Sequence, residues 1–315
     1  MSYMIEVKNL SRFYGNKPGV EDISFSIEAG DIVGLLGANG AGKSTLMKML
    51  TGYHMPTAGE IRIDGIDLLL NPKEALQKIG FMPEVPPLYP EMTVFEGLSF
   101  VAGIRGCDKN RIREEVHTVS EMAGITDVSD RLIRNLSKGY RQRVGMAQAL
   151  IGSPPILIMD EPTAGLDPGQ MAEFRSLVGE LGGKHTILIS SHILSEIHQI
   201  CHSLMILNQG HLVAYDTIEN LEGSGEARNW FDVKLRGDKQ KALDMIRKLP
   251  GVMNVQDIST ISVEDDCCYF SIQAEADTVR DALFYACAQA DMPILEMVPQ
   301  RAGLEQVFLR LSSSS

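Results

Sequence analysis

Residues 37–44 read Gly-Ala-Asn-Gly-Ala-Gly-Lys-Ser, filling every position of the pattern G-x-x-x-x-G-K-[ST]. These residue types in this order suit phosphate binding. Gly37, Gly40 and Gly42, with Ala38, Asn39 and Ala41 between them, let the backbone curl closely around an anion. Lys43 has the reach for β- and γ-phosphates, the Ser44 hydroxyl suits Mg²⁺, and Thr45 continues into a helix-forming stretch that stops at Gly52. A second chemical group follows far downstream. The apolar run Ile156-Leu157-Ile158-Met159 ends in Asp160-Glu161. In a phosphate-loop protein the first acid is placed to hold Mg²⁺ and the next to polarise a water for attack on the γ-phosphate. A buried strand can also end in a merely solvated acid pair. The phosphate loop upstream favours the catalytic reading and implies a nucleoside triphosphate as ligand.

These groups need particular elements to carry them. Ile32-Val33-Gly34-Leu35-Leu36 reads as a buried strand entering the loop, and strand, glycine loop and helix together aim N–H groups at phosphate oxygens. Segments 156–159 and 186–190 are as uniformly apolar, as expected of parallel strands covered on both faces. Ile5, Val7 and Leu10, then Ile23, Phe25 and Ile27, alternate with polar residues and predict half-buried antiparallel strands. Asp64-Gly65 predicts a hairpin turn. From Pro83 to Leu136 the pattern becomes helical: Thr93-Val94-Phe95-Glu96 fits a capping box, and a helix over 109–123 ends at Gly124. The expected fold is an α/β core with an antiparallel flank and a helical insert at about 84–138.

A polar, glycine-rich break around 222–226 divides the chain into domains at 1–222 and 227–311. Beyond the break, strand 230–235, helix 239–248, strands 252–262 and 267–273, helix 276–290 and strand 294–298 give a βαββαβ order. That order predicts a small α+β, ferredoxin-like unit. An amphipathic helix over 304–311 and a disordered serine tail at 312–315 complete the expectation. The second domain shows no catalytic constellation. A dimer clamp, a docking surface and a regulatory module all remain open for it, with the steadying of a dimer favoured.

The chain has 315 residues, 44% hydrophobic and 22% charged, with a net charge of −12. Such an acidic balance weighs against a nucleic-acid partner. Five cysteines at irregular spacing read as buried free thiols rather than disulfides or zinc ligands. The N-terminus lacks a signal-peptide layout and no stretch of 18 apolar residues occurs, so a cytoplasmic location is expected.

Leu136-Ser137-Lys138-Gly139-Tyr140-Arg141-Gln142-Arg143 stands upstream of Asp160-Glu161 and is read as opening a helix over 141–150. This arrangement resembles the ATP-binding cassette (ABC) ATPases, whose signature Leu-Ser-Gly-Gly-Gln is matched at Leu136, Ser137 and Gly139. Lys138 and Tyr140 depart from it. The resemblance covers roughly residues 3–220. It implies that Tyr14 stacks on adenine, that Gly165-Leu166-Asp167 forms the loop linking two active sites, and that His192 contacts the γ-phosphate. Glu84 stands where most members carry Gln beside Mg²⁺. The string 80–94, with Pro83-Glu84 and Pro87-Leu88-Tyr89-Pro90, is similar to bacterial ABC-2 type export ATPases of the gliding-motility and antibiotic-export branches.

What the resemblance implies is concrete. ATP and Mg²⁺ are the cofactors; Ser44, Asp160 and Glu84 are the metal-side residues; Lys43, Glu161 and His192 are the catalytic ones. Ser137 and Gly139 would meet the nucleotide of a second ABC subunit in a head-to-tail pair, a homodimer being expected. A polytopic membrane permease would dock near the loop 85–89, attaching the chain to the inner face of the membrane. A soluble ABC mechanoenzyme or regulator stays as the alternative, though such proteins generally carry two cassettes. A DNA-repair cassette would need a long coiled coil, and no such heptad run occurs.

Overall fold

The computed structural model describes residues 3–223, 230–258, 267–276 and 278–299. The chain divides into two compact units, Met1–Ile218 and Glu219–Ser315. In chain order the first unit contains β1 (Tyr3–Tyr14), β2 (Lys17–Glu28), β3 (Ile32–Leu36), α1 (Lys43–Leu50), β4 (Ala58–Ile63), β5 (Ile66–Asp67), α2 (Pro72–Gln77) and β6 (Ile79–Met82). The helices α3 (Val94–Ile104), α4 (Ile112–Met122) and α5 (Lys138–Leu150) follow. Then come β7 (Ile156–Asp160), α6 (Pro168–Leu181), β8 (Thr186–Ser191), α7 (Leu194–Ile200), β9 (Ser203–Asn208) and β10 (His211–Thr217). The short helix α8 (Ile218–Gly223) begins at the last residue of this unit.

Strand order in the main sheet is β10-β9-β3-β8-β7-β6, with every pair parallel except β9–β10. Every residue of β3, β7 and β8 is buried, which is why these strands lack polar alternation. Strands β6 and β9 extend the sheet beyond the three parallel strands legible from apolar runs. A second sheet, β2-β1-β4-β5, is antiparallel, with Val7 opposite Phe25 and Ile61. Its inner residues Ile5, Val7, Ile27 and Ile63 share one core with Val33, Leu35, Leu46, Met47, Ile156 and Ile158. Burying each such side chain contributes about 1.5–3 kcal/mol.

The helical insert holds α3 and α4, with two 3-10 turns at Thr126–Val128 and Ile133–Asn135. Thr93 caps α3 with a complete capping box: its side chain accepts from the Glu96 N–H, and the Glu96 carboxylate accepts from the Thr93 N–H at 2.9 Å. Helix α5 starts at Lys138, three residues earlier than the spacing suggests, because the Ser137 hydroxyl accepts the Tyr140 N–H and caps it.

The second unit contains β11 (Trp230–Arg236), α9 (Lys239–Arg247), β12 (Val252–Asp257), β13 (Cys267–Ala274), α10 (Thr278–Gln289) and β14 (Ile294–Pro299). Sheet order β12-β13-β11-β14, antiparallel throughout, is the ferredoxin-like arrangement. Phe231, Val233, Leu235, Phe270, Ile272 and Leu283 form its core. β12 ends at Asp257 and residue 258 is not strand; the rest of the expected extension to 262, the helix at 304–311 and the tail at 312–315 fall outside the described residues. All five cysteines are free, but only Cys201, Cys268 and Cys287 are buried; Cys107 and Cys267 are half-buried, which corrects the expectation of five buried thiols.

Candidate functional site

The loop 37–42 joins β3 to α1 and bends only because of its glycines. Gly42 holds φ +109°, and a Cβ there would lie 2.5 Å from the carbonyl oxygen of Gly19. No other residue fits. Lys43 opens α1 and is buried, 6% exposed, with its ammonium turned back along the loop. Its Nζ donates to the carbonyl oxygen of Gly37 at 2.7 Å and lies 3.3 Å from the Glu161 carboxylate.

Across the sheet, β7 delivers the acid pair and β8 the histidine. Asp160 ends β7, is 6% exposed, and accepts the Ser190 hydroxyl at 2.6 Å. Glu161 leaves the strand with φ +48°, a left-handed conformation costly for a residue with a side chain. Its N–H donates to Ser190 Oγ at 2.9 Å, and its carboxylate meets His192 Nδ1 at 2.7 Å. A carboxylate is thus clasped between an ammonium and an imidazole.

A cavity of about 450 Å³ opens over this cluster. Of the candidate residues, Tyr14, Ala38, Asn39, Gly40, Gly42, Lys43, Ser44, Thr45, Glu84, Glu161 and His192 line it. Gly37, Ala41 and Asp160 belong to the surrounding loop and strand but do not line it. Ser137 and Gly139, on α5, also stand outside the lining. Glu84 borders a second cavity as well, of about 530 Å³, whose lining includes Val85, Leu88, Ile133, Lys138 and Arg141.

The ABC transporter family model matches residues 20–164. The bacitracin transport ATP-binding protein BcrA of Bacillus licheniformis is 38% identical over 250 residues, covering 79% of this chain and 80% of the relative. The linearmycin resistance ATP-binding protein LnrL of Bacillus subtilis is 30% identical over 310 residues, 98% of each chain. A solved dimeric bacterial ABC transporter cassette superposes with a TM-score of 0.62 at 25% identity, covering 68% of this chain and 99% of the cassette. This chain belongs to the ATP-binding proteins of ABC transporters.

One departure of this ABC ATPase from the signature, Tyr140, has a visible partner. Tyr140 donates its hydroxyl to Asp127 at 2.9 Å, and that bond raises the phenol's pKa. Gly139 packs against Gln170 so closely that a Cβ would fall 2.7 Å from the amide carbon. Gln142 donates to the Glu84 carbonyl at 3.1 Å, tying the signature helix to the Glu84 loop. Tyr14 is 46% exposed, with the Arg12 guanidinium 5.1 Å from its ring centre and His54 edge-on at 6.1 Å.

No group of three His, Cys, Asp or Glu able to hold a metal occurs among the described residues. Ser44 and Asp160 offer hard oxygens that fit Mg²⁺, an ion that usually takes one or two protein ligands and completes its shell with phosphates and water. Sequence reasoning does not single out Arg12, Gly19, Ala164 or Ser190. Arg12 carries a signal, because it lies two residues before Tyr14 on the same face of β1. Ser190 carries none, since its partners come from another strand.

Proposed function

We propose that this ABC ATPase drives an exporter, working as a head-to-tail pair of identical chains on a separate polytopic membrane protein. One observation carries the pairing. Lys43, Glu161 and His192 meet at a cavity whose lining leaves out Ser137 and Gly139, so a phosphate held there has one side to be met by a second chain. The capped N-terminus of α5 suits that task, since its N–H groups and the helix dipole favour anions. The dimeric form of the related cassette supports the same arrangement.

In this reading Tyr14 stacks on the adenine, with Arg12 stacked against the ring, while the loop 37–42 and Lys43 hold the β- and γ-phosphates. Glu161 takes the proton from the attacking water, and His192 keeps the carboxylate aimed. Ser44, Asp160 and Glu84 would hold Mg²⁺, which when bound neutralises phosphate charge. ATP is then part of the interface, and its cleavage lets the pair open.

Among the described residues no helix is long and apolar enough to cross a membrane; in this reading the force passes to another chain. The 530 Å³ groove, lined by Val85, Leu88 and Ile133 together with Arg134, Lys138 and Arg141, suits a short amphipathic helix of that chain. Val85 is 78% exposed at its edge, and Tyr89 packs edge-on against Phe100 at 5.5 Å, both exposed. Val94 and Leu98 are fully buried and belong to the insert's own core. Because Glu84 borders both cavities, movement at the nucleotide reaches the groove through one loop. Export, rather than import, is supported by the bacitracin transport and linearmycin resistance relatives. Detergent extraction with the chain tagged tests the reading. A polytopic membrane protein should co-purify; ribosomes or nucleic acid in its place would overturn it.

A further inference from the structure

We propose that Ser190 is a positioning residue for ATP hydrolysis, holding the two acids of the site in fixed relation through its hydroxyl. Ser190 lies near the end of β8, is 0% exposed, and pairs with Asp160 in the parallel ladder between β7 and β8. Its hydroxyl is used in both directions. It donates to Asp160 Oδ1 at 2.6 Å and accepts the Glu161 N–H at 2.9 Å. A hydroxyl committed as donor and acceptor at a buried site has one orientation, so it transmits position rather than merely filling space.

The geometry says what is being positioned. β7 ends at Asp160, and the chain turns at Glu161 into a left-handed conformation, φ +48°, that a side-chain-bearing residue adopts only when its surroundings impose it. The Glu161 N–H bond to Ser190 Oγ is such an imposition. With the turn held, the Glu161 carboxylate lies 3.3 Å from Lys43 Nζ and 2.7 Å from His192 Nδ1. Without it, the Glu161 N–H loses its acceptor and Asp160 its donor, and both acids are free to re-aim. β8 buries three hydroxyls, Thr186, Ser190 and Ser191, beside Ile187, Leu188 and Ile189, and that of Ser190 is the one bonded to both Asp160 and the Glu161 N–H. A buried polar group retained in that setting needs its partners, and both partners here are site acids.

The inference rests on reading Glu161 as the proton acceptor. Ser190→Thr and Ser190→Val in the full-length chain share one shape and differ by the hydroxyl, so any shared packing disturbance cancels in their ratio. The Thr variant should turn over at least about tenfold faster than the Val variant, a loss of the size that small misplacement of a catalytic group produces. ATP dissociation constants measured without Mg²⁺ should agree within about twofold, since the phosphate loop is untouched, and the ATP-loaded pair should last longer in the Val variant. Equal kcat for Thr and Val overturns the proposal. Glu161→Gln in the same assay separates the two ideas. Turnover like the unmodified chain's removes the base reading itself, whereas an inactive Glu161→Gln beside equal Thr and Val rates removes only the role of Ser190.

Discussion

Among the described residues the first unit buries Lys43, Asp160, Gln142 and His185 together with a series of serines and threonines; the second unit buries Ser271 and otherwise apolar side chains. Both cores use the same aliphatic and aromatic packing. The difference lies in polar groups held away from water, which are costly unless partnered. In the first unit the partners are specific: Lys43 with Glu161 and Gly37, Asp160 with Ser190, Thr163 and Ser191 with Glu196. They gather where β7 and β8 end. The first unit thus sets a polar cluster at these strand ends within a core that also buries Ser11, Thr51, Ser120 and His185 elsewhere, whereas among the described residues the second buries Ser271.

Glu161→Gln should lower kcat by about a thousandfold while ATP still binds, because in the proposed function only the proton acceptor is lost. Light scattering should then find an ATP-dependent dimer, and a monomer at saturating ATP would refute the shared site. Phe231→Ala should destabilise the second unit by about 3–5 kcal/mol, since the ring is fully buried. Burial pushes the Cys287 thiol up to about 11, so at pH 8 it stays protonated and unreactive until that unit opens. The variant should expose Cys287 to alkylation, leave buried Cys201 protected and leave ATP affinity unchanged; a joint loss of ATP binding would show that the units do not differ as argued. Lys43→Ala should weaken ATP binding by about a hundredfold, the scale for removing one partner of a buried charge contact, as a fluorescent nucleotide titration would read. Smallest is Tyr89→Ala, expected to weaken association with the membrane partner by about tenfold or less, typical of one aromatic anchor, with the ATPase rate of the isolated chain unaltered.

Contiguous features were the legible ones. The loop 37–44, the pair Asp160-Glu161 and the capping box at Thr93 each announce themselves within eight residues, because local hydrogen bonding and charge determine them. The βαββαβ order of the second unit is readable for the same reason, as alternation and helical spacing are local patterns. Features set by a neighbouring strand were not readable. Ser190 meets Asp160 from thirty positions away, and nothing around it in the chain hints at that contact. β6 is four residues long with Gly80 inside it, too short and too weak in β propensity to stand out until β7 pairs with it. The early start of α5 depends on whether the Ser137 hydroxyl turns inward to cap, a choice that spacing does not encode.

The order β3-β8-β7 also acts as a ruler. Neighbouring strands lie roughly 4.8 Å apart whatever their side chains, so the offset between the acid pair and the histidine is one rung of backbone, as is the offset from β8 to the strand feeding the lysine loop. A one-residue slip of β7 against β8 would turn every side chain to the opposite face. Each catalytic letter would still stand in the gene, and the enzyme would be gone. Ile158, Leu188 and Ile189, which hold that alignment, are as much its instruments as Lys43.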